Sequence, residues 1–92
     1  MGHAGERVKV EHDRRHDAAY FEFSTANAAR QVRLDEARII DYGADGSVVG
    51  VEFISPSRGI NLMGVPHADQ IERAARRLGL PIHPIVGIGR PL

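Results

Sequence analysis

Apolar and polar residues alternate in two runs near the start of the chain. The first run is VKVEHD at 8–13, and the second is AAYFEF at 18–23. Because successive side chains of a strand point to opposite faces of a sheet, this period of two predicts two strands that each bury one face. The polar residues between them predict a turn, so we expect the two strands to form a hairpin.

Three further β-rich runs follow: RQVRLDE at 30–36, RIIDY at 38–42 and SVVGVEFIS at 47–55. Asp45 and Gly46 lie between the last two runs. An Asp-Gly pair is typical of tight hairpin turns, because glycine accepts the positive φ that such turns require. The chain up to residue 58 therefore predicts an antiparallel β-meander of about five strands.

The C-terminal third predicts one helix and an extended end. Four apolar residues recur there with the spacing of one helix face: Ile71, Ala74, Ala75 and Leu78. Gly79 and Pro81 end the pattern, so we expect the helix at about residues 67–78. The tail that follows is apolar, but its prolines and glycines exclude a helix, and we expect it to be extended.

These elements predict an α+β fold in a single structural domain. We expect a flexible N-terminus at residues 1–6, the β-meander at 7–58 and a C-terminal extension at 59–92. A chain of 92 residues is long enough for one small hydrophobic core.

Composition narrows the functional classes. Twelve basic residues balance twelve acidic ones, so no net charge draws the chain to nucleic acid, and we expect no nucleic-acid partner. The absence of cysteine excludes disulfides and thiolate metal sites. No apolar run approaches the roughly 20 residues of a membrane span, and the first residues have no apolar segment typical of secretion. We therefore expect a soluble, cytoplasmic protein without a membrane partner.

Residues 41–52, DYGADGSVVGVE, match most of the calcium-loop template D-x-[DN]-x-[DN]-G-x5-E. Asp41, Asp45 and Glu52 occupy ligand positions, and a glycine stands at the third position. A calcium loop of this type needs a helix on each side, but Pro56 interrupts any helix that follows. We therefore interpret the stretch as a hairpin that holds no ion.

A metal site that includes Asp41 and Glu52 is the alternative. Imidazole and carboxylate groups bind zinc or manganese, and the candidates are His12, Asp17, Asp41 and Glu52. Their spacing is not specific, and Asp17 is expected to organise the first turn. No serine lies in a nucleophile motif and no glycine-rich phosphate loop is present, so we predict no catalytic residue and no cofactor.

Two blocks of the chain resemble a bacterial family. A block with Asp-Ala-x-Tyr is followed by one close to Asp-Tyr-x-x-Asp-Gly-x-x-Val-Gly-x-Glu, and residues 8–57 are similar to the proteins grouped as domain of unknown function 2283. His12 stands where that family usually has tyrosine. The matching residues are Asp13, Asp17, Ala18, Tyr20, Asp41, Tyr42, Asp45, Gly46, Val49, Gly50 and Glu52.

The resemblance implies a compact antiparallel β-meander and no established activity. Some members of the family are encoded beside small toxin-like proteins, so the resemblance also implies an antitoxin-like or partner-binding role.

Tyr20 and Tyr42 could stack on nucleic-acid bases, but the neutral charge of the chain makes packing beneath the helix the better interpretation.

We expect an uncharacterised, non-enzymatic protein-interaction or self-association module, with a homodimer or a small protein partner. An exposed apolar tail favours such contacts, because association removes its apolar surface from water. The alternative is a metal-dependent enzyme or metal-binding protein that uses the clustered carboxylates and histidine. The predicted interface residues are Ile82, Ile85, Val86, Ile88 and Leu92.

Overall fold

The computed structural model describes residues 8–83. Within them the chain forms five strands and one α-helix, together with a 3₁₀ turn at Pro56–Arg58. This confirms the α+β fold and the helix expected after the strands. The elements are β1 (Lys9–Asp13), β2 (Ala18–Glu22), β3 (Arg30–Asp35), β4 (Arg38–Tyr42), β5 (Val48–Ile54) and α1 (Ala68–Arg77).

All five strands form one antiparallel sheet with the order β1-β2-β5-β4-β3. A hairpin of β1 and β2 lies beside a three-stranded meander of β3, β4 and β5, and the two units join where β2 pairs with β5. Residues 23–29 lead from β2 to β3 at the opposite edge. Consequently β1 and β3 are the edge strands, and β5 is central.

One face of the sheet packs against α1 to form the core. Phe21 and Val51 are 0 % exposed on the sheet side, and Ile71 and Ala75 are 0 % exposed on the helix side. The rings of Phe21 and Phe53 meet edge to face with centroids 5.6 Å apart. Each of these residues occupies an apolar position of the period-two or helical pattern, so the alternation in the sequence is what places them in the core.

The helix ends as its sequence predicts. Gly79 has φ 75°, and the Leu80 N–H donates to the carbonyl of Ala75 at 3.0 Å, which satisfies a terminal carbonyl. At the other end, the His67 ring stacks on Phe23 with centroids 4.6 Å apart, which ties the start of α1 to the end of β2.

The stretch with the calcium-loop pattern is a hairpin, as predicted. The Gly43 N–H donates to the Ser47 carbonyl at 2.8 Å, and Gly46 has φ 87°. One carboxylate oxygen of Asp45 accepts hydrogen bonds from the Ser47 N–H at 3.0 Å and from the Ser47 hydroxyl at 2.7 Å. These bonds lower the pKa of Asp45, with the hydroxyl as the largest cause.

Ile82 contacts the rest of the fold through a parallel bridge to Ile60. It is partly buried and packs against the core. The other predicted interface residues, Ile85, Val86, Ile88 and Leu92, lie outside the described residues. No helix within residues 8–83 is long and apolar enough to span a membrane.

Candidate functional site

The face of the sheet opposite α1, here called the open face, carries the residues of interest. Paired residues of antiparallel strands project to the same face. Tyr20 pairs with Glu52, which also pairs with Ile39, and Gly50 pairs with Asp41. The open face consists of Lys9, Glu11, Asp13, Ala18, Tyr20, Glu22, Gln31, Arg33, Ile39, Asp41, Gly50, Glu52 and Ile54.

Tyr20 lies across the central strand of this face. Its hydroxyl donates to Asp41 Oδ2 at 2.9 Å, and the Gln31 amide donates to Asp41 Oδ1 at 2.9 Å. These two hydrogen bonds connect side chains from β2, β4 and β3. Because the tyrosine also crosses β5, four neighbouring strands are tied together on the open face.

Gly50 makes this arrangement possible. A Cβ atom at this position would lie 2.1 Å from the Tyr20 hydroxyl oxygen and 2.3 Å from Cζ. Only glycine therefore leaves room for the tyrosine ring over β5. We call Tyr20, Gly50, Asp41 and Gln31 the tyrosine network.

The surroundings of Tyr20 keep its hydroxyl group protonated. Burial is the largest cause that raises the pKa of Tyr20 well above its ordinary value of 10.0, and the hydrogen bond to the Asp41 carboxylate adds to it. The negative charges of Glu22 and Glu52 act in the same direction. Tyr20 is consequently a hydrogen-bond donor at neutral pH and is unsuited to act as a base or nucleophile.

The open face combines apolar side chains with an excess of carboxylates. Ile39 is 8 % exposed yet lies outside the core cluster, and Ile54 is 37 % exposed. Ala18 pairs with Ile54 and extends this apolar area. The charged side chains of the face are five acidic and two basic: Glu11, Asp13, Glu22, Asp41 and Glu52, against Lys9 and Arg33.

The four candidate metal ligands do not converge. Asp41 and Glu52 are on the open face, whereas His12 and Asp17 line a cleft of about 470 Å³ beside the C-terminal end of α1. Among residues 8–83, no group of three or more histidines and carboxylates could hold a metal ion.

Asp17 connects two distant parts of the chain. Its carboxylate accepts hydrogen bonds from the Ser57 N–H at 3.1 Å and from the Ser57 hydroxyl at 2.6 Å. Asp17 also shapes the first turn through its backbone, as expected, because it adopts the positive φ of 52° that aspartate tolerates in turns. Asp13 contributes to the same turn by accepting a hydrogen bond from the His16 N–H at 3.0 Å.

The structure also corrects the interpretation of the tyrosines. Tyr42 packs against the core, and Arg30 lies over its ring at 4.6 Å. Tyr20 is on the face opposite the helix instead. A signal for this was in the sequence, because Tyr20 alternates with Ala19 and Phe21 and therefore cannot share their face.

The family model described as Protein of unknown function (DUF2283) matches residues 9–57, just over half of the chain. The chain belongs to the DUF2283 family. A search of curated proteins and of solved structures finds no match.

The residues that carry the DUF2283 resemblance have identifiable roles in this fold. Tyr20, Asp41 and Gly50 form most of the tyrosine network. Asp45 and Gly46 shape the turn between β4 and β5. The matched segment therefore contains both the framework of the sheet and its open face.

Proposed function

We propose that this protein is a non-enzymatic interaction module whose open face binds a basic protein partner. The observation that supports this most directly is the composition of the face, where apolar side chains lie among carboxylates on the side away from α1.

The apolar side chains of the open face suit a protein interface. Interface cores are enriched in aromatic and aliphatic residues and are surrounded by a polar rim. Ile54, which is 37 % exposed, and the ring of Tyr20 provide apolar contact surface, and Glu52 lies beside Tyr20 on the neighbouring strand. The tyrosine network holds Tyr20 in place before binding, so little side-chain freedom would be lost when a partner covers it.

The charge of the face selects the kind of partner. Five carboxylates against two cations create a negative potential that attracts lysine- or arginine-rich surfaces and repels nucleic acid. A toxin-like protein with a basic surface is one partner of this kind. Attraction between its basic surface and the open face would be the physical basis of an antitoxin-like role.

The face has few features of a catalytic centre. Tyr20 stays protonated, and both oxygens of Asp41 accept hydrogen bonds from neighbouring side chains. Groups fixed in this way suit recognition better than proton transfer.

Two charge-matched variants test the proposal. Glu52→Lys places a cation in the open face, whereas Glu36→Lys makes the same change of charge in the exposed turn between β3 and β4. Tagged full-length proteins would be purified from the native host, with retained partners measured by quantitative mass spectrometry at low and high salt.

We expect a basic protein to be retained by the parent protein and by Glu36→Lys, and to be lost from Glu52→Lys. Its retention should also fall with salt, because exposed charges are screened. Equal retention by both variants, retention of nucleic acid instead, or no specific partner with any of the three proteins would contradict the proposal.

A further inference from the structure

The edge strand β1 offers a regular surface for pairing with another strand. Its register with β2 runs without interruption from Lys9 to Asp13. The other edge strand, β3, has a register shift between Arg33 and Asp35. Bulges of this kind disrupt an edge and hinder further pairing, so β1 is the better edge for association.

A second copy of the same strand can pair with β1 only in certain registers. Two identical antiparallel strands are related by a two-fold axis perpendicular to the sheet, so one residue lies opposite its own copy and the others pair symmetrically around it. With Val10 at the centre, Lys9 lies opposite Glu11 of the second copy, and Glu11 lies opposite the second Lys9. The pairing thus creates two ion pairs of opposite charge.

The other registers are less favourable. A centre at Glu11 pairs Lys9 with Asp13 but also places two glutamates opposite each other at the axis, and a centre at Lys9 places two lysines opposite each other. A centre at His12 places Glu11 opposite Asp13, again with like charges. Only the register centred on Val10 brings together opposite charges along β1 without a like-charged pair.

On β3, the register that pairs opposite charges coincides with the irregular part of the strand. A centre at Val32 places Arg33 opposite Gln31 and forms no ion pair, whereas a centre at Arg33 places two arginines opposite each other. A centre at Leu34 would place Arg33 opposite Asp35, but the ladder of β3 is irregular between these two residues, so the two edges are distinguished by the regularity of the ladder where the charges would pair.

Apolar contacts favour the same register. Val8 and Val10 are partly buried and pack against the edge of the core. A second Val10 directly opposite the first would cover the exposed part of this edge and continue the apolar face from one copy to the other.

We propose that two copies of this chain associate through β1, in antiparallel register centred on Val10, to form one continuous sheet. The two-fold axis is perpendicular to the sheet, so both helices lie on one side and both open faces on the other. The interface involves little more than one short strand from each copy, and we expect a weak, concentration-dependent dimer. The association does not depend on the proposed function of the open face.

A charge-swap series measured by sedimentation velocity tests this arrangement. Lys9→Glu and Glu11→Lys each create like-charged pairs across the two-fold axis, and the double variant restores opposite charges in reverse order. Both positions are exposed, and circular dichroism would check that each variant remains folded.

We expect the parent protein to dimerise as its concentration rises and each single variant to dimerise about tenfold more weakly, with recovery in the double variant. Three results would overturn the proposal: a parent protein that stays monomeric over the whole concentration range, single variants that dimerise as well as the parent, or a double variant that does not recover.

Discussion

The two faces of the sheet are formed by the same strands, but different interactions hold their side chains in place. Against α1, Phe21 and Val51 are fully buried among apolar neighbours. Tyr20 and Gly50 directly precede these two residues in the chain and lie on the open face. They belong to the tyrosine network, which is held by directional hydrogen bonds. Since alternate residues of a strand face opposite ways, each strand contributes to the core and to the open surface at once.

The difference shows how one small sheet can combine two kinds of packing. The core face depends on the volume and burial of its side chains, and its energy is spread over many contacts. The open face depends on one close approach, between a tyrosine ring and a glycine without a Cβ atom. Truncations in the core should therefore be costly wherever they are made, whereas on the open face only changes to the tyrosine network should cost comparable stability.

The largest expected effect comes from the core face. Phe21→Ala removes a fully buried ring that meets Phe53 edge to face, and should lower the free energy of unfolding by about 3–5 kcal/mol. Ile54→Ala on the open face should change it by about 0.5 kcal/mol, because Ile54 is 37 % exposed. Urea denaturation measures both values, and similar losses for the two variants would contradict the distinction between the faces.

A double-mutant cycle gives a sharper test of the tyrosine network. Gly50→Ala should lower the free energy of unfolding by about 1–3 kcal/mol, because the new methyl group displaces the Tyr20 ring. In a Tyr20→Ala background the clash is absent, and the same substitution should be neutral or should stabilise the strand by about 0.5–1 kcal/mol.

The cycle isolates the contact between positions 20 and 50. Gly43→Ala, measured alone and in the same background, serves as the control, because a Cβ atom at Gly43 would meet only ordinary contacts of 3.4 Å or more. A loss at Gly50 that persists without the tyrosine would show that the close approach is not what requires glycine there.

The sequence predicts the fold well because its signals are local. Period-two alternation identifies the strands, and the pair Asp45-Gly46 identifies the hairpin between β4 and β5. The helix expected at about 67–78 is observed at Ala68–Arg77, since its apolar spacing and its terminal glycine are both encoded within a few residues.

The open face is harder to predict because its contacts join residues far apart in sequence. Tyr20 and Asp41 are 21 positions apart, and their contact requires β2 to pair with β5 rather than with β3. The alternation of apolar and polar residues within one strand does not specify which strands will be its neighbours in the sheet. The link between Asp17 and Ser57, 40 positions apart, is unpredictable for the same reason.

The smallest expected effect concerns one hydrogen bond of the tyrosine network. Tyr20→Phe keeps the ring over Gly50 but removes the donor to Asp41, and should lower the free energy of unfolding by about 1 kcal/mol at neutral pH. The pH dependence should change as well. The folded protein raises the pKa of Tyr20 above its ordinary value of 10.0, so the unfolded chain loses this proton first as the solution becomes alkaline.

The stability that Tyr20 contributes is therefore complete below about pH 10 and decreases as the pH rises further towards the raised pKa. Denaturation of the parent protein and of Tyr20→Phe across this range measures the difference, since every other group that titrates is common to both. The stability of the parent should fall more steeply with pH until the advantage over Tyr20→Phe is lost. Parallel pH profiles would mean that folding does not hold the phenol in its protonated form, and that the tyrosine network orders the open face less than its geometry indicates.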